Sequence, residues 1–342
     1  MARSPNRGHS VTRATAAATS DVEVPCFAKI NLDLRVLHKR PDQFHELRTI
    51  FQTISLRDTL RIQFERARRT ELRLDSSVEI EQNIVLKAAR AVLDALNVSA
   101  RVRFWLRKSI PMGAGLGGGS SNAAAVLVAL PALAGKPLER SRLHGIAAEL
   151  GSDVPFFLYG GTALGLGRGT ELYPLPDQPA GYATVVADGT HVSTAEAYRG
   201  LKRSMGLSSA DLVTNALTSP DLSPILREFQ SVAWELDRLP ASQLALHNDF
   251  EDAVFSAHPE LAAALRKLRR LGANPARMTG SGSALFGLFD SLAEARTAAS
   301  QFQKGQAQAV RFLSRPQYRA RWLRALGSSG AHSVFASASL RG

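Results

Sequence analysis

A glycine-rich segment at residues 111–121 is the part of the chain best suited to chemistry. It reads Pro-Met-Gly-Ala-Gly-Leu-Gly-Gly-Gly-Ser-Ser and is followed by an alanine-rich run that favours a helix. Glycines let backbone N–H groups close on an anion, and a helix that begins there adds unpaired donors and the positive end of its dipole. The segment therefore predicts a site for the phosphates of a nucleotide. Its residues are Pro111, Met112, Gly113, Ala114, Gly115, Leu116, Gly117, Gly118, Gly119, Ser120 and Ser121.

The glycine spacing alone does not decide which type of nucleotide site this is. Gly113, Gly115 and Gly118 satisfy the dinucleotide-binding pattern G-x-G-x-x-G, but that pattern also needs an acidic residue at the tip of a second strand, and residues 131–139 have no strand character. The P-loop pattern G-x-x-x-x-G-K-[ST] occurs nowhere in the chain. A glycine turn without a ligand stays open at this point.

Four polar residues outside the glycine segment each have a structural and a chemical interpretation. Asp153 precedes Val-Pro, a position typical of a helix N-cap but also suited to a catalytic base. Lys29 in a strand is ordinarily a solvent-facing charge, Asn31 a turn former and His45 a loop histidine. Residue type and spacing leave all four open.

A cluster of acidic and amide side chains follows later in the chain, and it resembles a metal site at first sight. Its position before an apolar run favours capping of a helix start instead. The eight histidines form no H-x-x-x-H pair and there is one cysteine, so we expect no structural zinc and assign no metal ligand. The cluster consists of Asn248, Asp249, Glu251 and Asp252.

Length and composition favour a globular protein with two domains. The chain has 342 residues, of which 45% are hydrophobic. The longest apolar run, residues 123–134, is shorter than the roughly 20 residues that span a bilayer, so no membrane span is expected. The single Cys26 favours a reducing compartment, and we expect a cytoplasmic location. The acid-free residues 1–20 are also typical of a transit segment, which leaves an organelle as the alternative.

The formal net charge of +12 lies mainly at the two ends of the chain. Residues 1–20 contain three arginines and residues 311–342 contain six, and neither segment has an acidic residue. A nearly balanced body with basic ends is typical of an enzyme with solvated extensions. The alternative from another class is a nucleic-acid-binding protein that uses the Arg-rich ends, whose affinity would fall steeply with salt.

Hydrophobic patterning predicts the elements around these residues. Strands are expected at 24–37 and 47–64, a helix at 83–96, and a helix after the glycine segment that is capped by Ser120, Ser121 or Asn122 and runs to Pro131. A further helix at 138–150 ends at Gly151, and Pro174, Pro176 and Pro179 mark a domain boundary. The second half predicts helices at 212–226 and 244–271 and a buried strand at 283–289.

Three segments in order along the chain resemble motifs of the GHMP kinases, a family of small-molecule kinases. They are Ala28-Lys-Ile-Asn-Leu, residues 111–125, and Met278-Thr-Gly-Ser-Gly-Ser. Residues 40–47, 151–157, 189–194 and 248–251 resemble those members of the family that phosphorylate 4-diphosphocytidyl-2-C-methyl-D-erythritol, and the similarity covers residues 24–312.

The resemblance implies a two-domain α+β fold with the active site in the cleft between the domains. An N-terminal domain similar to domain 2 of ribosomal protein S5 is expected at residues 23–178, and a ferredoxin-like α+β domain at 179–312. Basic extensions then occupy residues 1–22 and 313–342. The implied activity is ATP-dependent phosphorylation of the 2-hydroxyl of 4-diphosphocytidyl-2-C-methyl-D-erythritol, a step of the non-mevalonate pathway to isoprenoid precursors; a homoserine or mevalonate type of kinase is the nearest alternative.

The resemblance also implies roles for individual residues. Asp153 would accept the proton of the attacking hydroxyl, and Lys29 would keep that carboxylate ionised. Besides the glycine segment, Asn83 would line the base pocket and Lys108 would add charge near the phosphates. Magnesium would arrive with ATP, held by phosphates and a serine hydroxyl of the glycine segment. Substrate contacts are expected from Asn31, Phe44, His45, Thr194, Tyr198, Thr279, Gly280 and Ser281.

The cytidine-binding turn departs from the family pattern at two positions. The family has Asp-Gly-Tyr-His where this chain has Asp42-Gln43-Phe44-His45. Phe44 keeps a ring for stacking, with Tyr198 expected on the opposite face of the cytosine, but it loses the hydroxyl. Gln43 replaces a glycine, which adopts φ > 0 at lower cost.

Overall fold

A computed structural model of the chain describes residues 19–40, 42, 44–79, 83–178, 181–204 and 246–327. The predicted helix at 212–226, Gln43, residues 1–18 of the predicted N-terminal extension and residues 328–342 of the C-terminal one lie outside these residues. Within them the chain forms two sheets with helices packed against each, which agrees with the predicted α+β class.

The first sheet contains the two long strands predicted near the start of the chain. Its order is β3-β4-β2-β5-β6, with β1 also paired to β2, and all neighbours are antiparallel except β3 and β4. The strands are β1 Ser20–Lys39, β2 His45–Arg66, β3 Glu71–Ser76, β4 Ala100–Arg107, β5 Thr162–Leu166 and β6 Glu171–Pro174.

Helices cover the apolar face of this sheet. Val102, Phe104 and Leu106 of β4 point into the core, while Arg101, Arg103 and Arg107 on the other face are exposed. The helices that pack here are α1 Ile84–Leu96, α2 Gly118–Ala134, α3 Arg140–Leu150 and α4 Val154–Tyr159.

The second sheet is antiparallel throughout and has the order β10-β7-β9-β8. A separate apolar cluster, which includes Ile30, Ile54, Phe286 and Phe312, joins it to the first sheet. Its strands are β7 Tyr182–Val186, β8 Ala276–Met278, β9 Leu285–Phe289 and β10 Ala307–Arg311. Its helices are α5 Thr194–Ser204, α6 Glu251–Ala257, α7 Pro259–Arg270 and α8 Leu292–Ser300.

Two predicted helices differ from the structure. The predicted caps at Ser120, Ser121 and Asn122 are wrong, because α2 already begins at Gly118 after Gly117, which has a φ of +71° and no capping side chain. The helix also continues past Pro131 to Ala134. The single helix expected over 244–271 is two helices in its described part, because Pro259 occupies the first turn of α7, where a missing N–H is tolerated.

The C-terminal segment assigned to a basic extension contributes to the first core. Helix α9, Arg315–Leu326, begins with a capping box formed by Ser314 and Gln317. Tyr318 and Trp322 are fully buried, and the Tyr318 hydroxyl donates to the backbone oxygen of Phe157 in α4. At least this part of residues 313–342 is therefore a helix that belongs to the hydrophobic core of the first sheet. Its aromatic residues recur at helical spacing, so they face that core together.

Of the residues that the structure describes, none belong to a helix with the length and apolar character needed to cross a membrane. The predicted domain boundary at residues 178–179 lies between β6 and β7, and the exact bounds of the domains stay a prediction.

Candidate active site

The glycine segment forms a turn between β4 and α2 that leaves no room for side chains. Gly115 has a φ of +76°, and a Cβ there would lie 2.6 Å from the backbone oxygen of Thr279. Gly117 has a φ of +71°, and its Cβ would lie 2.8 Å from the Phe157 ring. Backbone approach of this kind requires glycine, as it does where main-chain N–H groups surround a phosphate.

A cleft of about 370 Å³ opens on this turn and holds every predicted nucleotide contact except one. Asn83 and Lys108 line it, but both side chains also have structural bonds. Asn83 Oδ1 accepts from Val85 N at 2.9 Å and caps α1, and the Lys108 ammonium bonds Asp58 and Asn122. The predicted residue absent from the lining is Ser121, whose hydroxyl is buried and has no hydrogen-bond partner among the described residues.

Lys29 and Asp153 form an ion pair on the floor of a second, larger cavity. Lys29 Nζ lies 3.2 Å from Asp153 Oδ2 and 2.6 Å from Asn31 Oδ1. The Lys29 side chain is 3% exposed and that of Asp153 31%. The solvent-facing interpretation of Lys29 is therefore wrong, and Asp153 precedes α4 without a capping hydrogen bond from its side chain. The pair combines a buried positive charge with a carboxylate that ligands can reach.

Buried polar contacts hold the third of the GHMP-like motifs, residues 278–283, against the first, residues 28–32. The backbone N–H of Asn31 donates to Thr279 Oγ1 at 2.9 Å, and Asn31 Nδ2 donates to Thr49 Oγ1 at 2.7 Å. Lys29 N also donates to the backbone oxygen of Leu116 at 3.0 Å. One strand, β1, therefore positions both the glycine turn and residues 279–281 around the ion pair.

The cluster predicted to cap a helix has a further role. Asn248 Nδ2 donates to the backbone oxygens of Met278 and Gly280, at 2.8 and 2.9 Å, and Glu251 Oε1 accepts from Met278 N at 2.8 Å. Asp249 Oδ2 accepts from Val36 N at 2.8 Å. The capping prediction is correct only in part: Asn248 Oδ1 accepts from Phe250 N at 3.0 Å, and Glu251 and Asp252 lie in the first turn of α6. The side chains of Asn248, Asp249 and Glu251 mainly support the loop at 279–281 and strand β1.

The larger cavity has a volume of about 850 Å³ and adjoins the nucleotide cleft. Ser120, Gly113 and Gly115 line both. The predicted substrate residues that line the larger cavity are Asn31, Phe44, His45, Thr194, Tyr198, Gly280 and Ser281. Thr279 is fully buried behind it and reaches the site through Asn31.

Aromatic side chains at the cavity rim are arranged differently from the expected sandwich. Tyr198 packs on His45, with ring centroids 4.4 Å apart and planes at 18°, while Phe44 is 48% exposed with the Arg168 guanidinium 3.8 Å over its ring. Burial, and secondarily the negative charge of Asp153, raises the pKa of Tyr198 to about 12, so its hydroxyl stays neutral at physiological pH. Thr194 Oγ1 and Ser281 Oγ are hydrogen bonded at 3.0 Å beside it.

Sequence reasoning missed two residues at this site. Arg168 stands between Gly167 and Gly169 in a glycine-rich stretch that indicated only turns, and no periodic pattern distinguishes it. Asp58 lies within β2 between Arg57 and Thr59, where a further polar residue resembles an ordinary strand position. Within the described ranges no three His, Cys, Asp or Glu side chains are grouped so as to hold a metal ion.

Comparison with known proteins follows the same two-part organisation. The family model for the GHMP kinases N terminal domain matches residues 83–161, and the model for the GHMP kinases C terminal matches residues 232–308. A 4-diphosphocytidyl-2-C-methyl-D-erythritol kinase from Solibacter usitatus (strain Ellin6076) is 50% identical over 320 residues, which cover 93% of this chain and 97% of the relative.

Solved structures agree. A crystal structure of 4-(cytidine 5'-diphospho)-2C-methyl-D-erythritol kinase is 36% identical, with a TM-score of 0.67, and the match covers 85% of this chain and 98% of that one. Homoserine kinase from Cytophaga hutchinsonii matches with a TM-score of 0.59 at 18% identity, over 92% of this chain and 99% of that one, and shows the fold alone. These matches confirm the predicted α+β GHMP kinase fold. The chain belongs to the GHMP kinases, a family of ATP-dependent small-molecule kinases, and within them to the 4-diphosphocytidyl-2-C-methyl-D-erythritol kinase family.

Proposed function

We propose that this chain transfers the γ-phosphoryl group of ATP to the 2-hydroxyl of 4-diphosphocytidyl-2-C-methyl-D-erythritol, releasing ADP and the 2-phosphate. The observation that carries the proposal is the Lys29–Asp153 pair, at 3.2 Å, on the floor of a cavity that adjoins the glycine turn. The 50% identical relative bears the name of this activity, which is the non-mevalonate step that the sequence predicts.

Asp153 is the proposed base for the attacking hydroxyl. Its carboxylate reaches the cavity, so it can accept the hydroxyl proton as the oxygen attacks phosphorus. Lys29, almost fully buried, supplies the adjacent positive charge that holds the carboxylate in place and orients the substrate oxygen. Because phosphoryl transfer depends mainly on position and electrostatics, a fixed pair of this kind provides what the protein must contribute.

The glycine turn is the proposed phosphate site. The glycines leave its backbone and the N-terminus of α2 open to the cleft, which suits a polyanion. The residues present also fit a magnesium ion brought by ATP, since Ser120 lines both cavities and the Ser121 hydroxyl has no partner in the described part of the chain. When bound, the metal would neutralise charge on the β- and γ-phosphates.

The rim of the larger cavity is the proposed cytidine diphosphate site. Phe44 offers a half-exposed ring for base stacking, and His45 and Tyr198 form an adjoining aromatic wall. Arg168 and Arg199 line the same cavity, where guanidinium groups suit a diphosphate.

We place the reaction in the cytoplasm, as the sequence predicts, since the single Cys26 is a buried free thiol.

The test is ADP release by the purified chain with ATP and magnesium and one of three alcohols: 4-diphosphocytidyl-2-C-methyl-D-erythritol, homoserine or mevalonate. We expect turnover only with the cytidine compound. Turnover with homoserine or mevalonate alone would overturn the substrate but keep the kinase. No turnover with any of them, although ATP binds in a direct titration, would overturn the whole proposal.

A further inference from the structure

The ends of the glycine turn are joined by one carboxylate that touches neither cavity. Asp58 of β2 is fully buried. Its Oδ1 accepts from the backbone N–H groups of Ser109 and Ile110, at 2.7 and 2.8 Å, immediately before the turn. Its Oδ2 accepts from Asn122 Nδ2 at 3.0 Å, immediately after the turn.

The charge of this carboxylate is matched within the same group of residues. The Lys108 ammonium donates to Asp58 Oδ2 and, at 3.2 Å, to Asn122 Oδ1, and the Lys108 side chain is only 6% exposed. A buried carboxylate with four donors is fully satisfied, and a buried charge left unpaired is strongly unfavourable. The geometry of Ser109, Ile110 and Asn122 around Asp58 is therefore strongly constrained.

We propose that Asp58 is a positioning residue for the nucleotide: it fixes the separation of the two ends of residues 111–121, so that the backbone N–H groups between them converge on the phosphates. The inference rests on the proposed function in taking that turn as the ATP site. Asp58 lines neither the nucleotide cleft nor the substrate cavity, whereas its partners Lys108 and Asn122 line the nucleotide cleft. Its effect is therefore on nucleotide affinity, transmitted through the backbone, and not on the alcohol substrate.

The variant Asp58→Asn tests this role. Asparagine keeps the size, and its Oδ1 can still accept from the two backbone N–H groups. Its Nδ2 replaces the second carboxylate oxygen, however, and can accept from neither Lys108 nor Asn122. We expect the Kd for magnesium-ATP, measured by calorimetric titration of the intact chain, to rise about tenfold or more, as for loss of a hydrogen bond to a charged group. The KM for 4-diphosphocytidyl-2-C-methyl-D-erythritol should stay within about twofold.

Asp177→Asn is the matched control. Asp177 also joins two segments by accepting backbone N–H groups, from Arg315 at 2.9 Å and Thr162 at 3.3 Å, but at the start of α9. The Asp177→Asn variant should bind magnesium-ATP with a Kd within about twofold of that of the unchanged chain. The proposal is overturned if Asp58→Asn binds ATP as tightly as the unchanged chain, or if Asp177→Asn weakens binding equally.

If Asp58→Asn fails to fold, Asn122→Ala provides the decision. It removes the bond between Asp58 and the helix side of the turn, together with the contact between Asn122 and Lys108. We expect a Kd for magnesium-ATP about threefold to tenfold higher, with an unchanged thermal midpoint as evidence of folding. Binding equal to that of the unchanged chain would overturn the proposal. Because these titrations need no alcohol substrate, they judge Asp58 even where the proposed substrate is not phosphorylated.

Discussion

The glycine turn and the cytidine-binding turn open on adjoining cavities, yet they are held in place by different means. The ends of the glycine turn converge on the fully buried Asp58. The other turn, in its described residues 40, 42, 44 and 45, is held by contacts nearer the surface. Arg40 pairs with Asp42 at 3.2 Å and with the partly buried Glu46, and Phe44 N donates to Asp42 Oδ1 at 3.1 Å. One turn is anchored in the core and the other at the surface.

This difference follows from what each turn is proposed to recognise. Phosphates can be bound by backbone N–H groups of one contiguous segment, so a rigid turn with many glycines is sufficient. A base and a diphosphate need particular side chains, and here they come from separate places. Phe44 and His45 lie at the start of β2, Arg168 follows β5, and Tyr198 lies on α5. The substrate side is therefore assembled by the tertiary fold, and the nucleotide side mostly by local sequence.

Asp153→Asn should give the largest effect, because Asp153 lies where the two sides meet. We expect kcat to fall about 10³-fold, since the amide cannot accept the hydroxyl proton. The Kd for magnesium-ATP should change by less than about twofold, since the glycine turn is untouched. Steady-state kinetics and calorimetric titration measure the two quantities.

Asp75→Asn is the control for that substitution, because Asp75 is an exposed carboxylate with an arginine neighbour, Arg103, at 3.9 Å. It should leave kcat unchanged. Retained turnover in Asp153→Asn would eliminate Asp153 as the base, and a parallel loss of ATP affinity would show that the two sides are not separable.

Phe44→Ala should affect the substrate side alone. Loss of a stacking surface for the base is expected to raise the KM for 4-diphosphocytidyl-2-C-methyl-D-erythritol about 10-fold to 100-fold. Phe44→Tyr keeps the ring and should stay near the original value. If the KM for ATP rises as much as that for the cytidine compound, the proposed division between the two turns is wrong.

The same division explains how far the sequence predicted the site. The two long strands β1 and β2, the glycine turn and helix α1 follow from patterns within short windows, so they were predicted closely. Short strands such as β3 and β10 carry no comparable pattern and were not predicted. The Lys29–Asp153 pair depended on the family resemblance, because no spacing rule relates residues on different elements. Asp58 was missed for the same reason.

The errors have a related cause. Asn122 was expected to cap α2, but its amide donates to Asp58 instead. Asn248 and Glu251 were expected to cap a helix and do lie at the start of α6, but their side chains also bind the backbone around Met278. In each case a side chain with a plausible local partner makes a bond to a segment distant in sequence, which burial favours and which local propensity cannot reveal.

Arg168→Gln should produce a smaller change on the substrate side. The guanidinium lies 3.8 Å over Phe44, and Arg168 lines the larger cavity, so its positive charge lies beside the proposed site of the diphosphate. We expect the KM for the cytidine diphosphate compound to rise about fivefold, in line with the loss of a cation–π contact and one positive charge.

Two comparisons sharpen that result. Arg168→Lys keeps the charge but not the planar group. Its KM for the cytidine compound should lie between that of the unchanged chain and that of Arg168→Gln. Cytidine diphosphate and cytidine serve as inhibitors of both chains. Relative to the unchanged chain, Arg168→Gln should lose more affinity for cytidine diphosphate than for cytidine. Equal weakening of both inhibitors would assign Arg168 to support of Phe44 alone.

The smallest expected effect concerns the carboxyl group that supports the third motif. Burial raises the pKa of Glu251 above its ordinary value of 4.5, against the opposing influence of the Met278 N–H and the nearby arginines. The folded chain therefore holds this proton more tightly than the unfolded chain. Its contribution to stability is fully present below about pH 4.5 and is lost as pH rises through the folded pKa.

Glu251→Gln keeps an acceptor for Met278 N but cannot ionise, so its Tm relative to the unchanged chain should rise by about 2 °C between pH 4 and pH 7. Thermal melts over that pH range measure the difference; a constant difference would mean that Glu251 ionises as readily in the folded chain as in the unfolded one, and that burial does not govern this anchor.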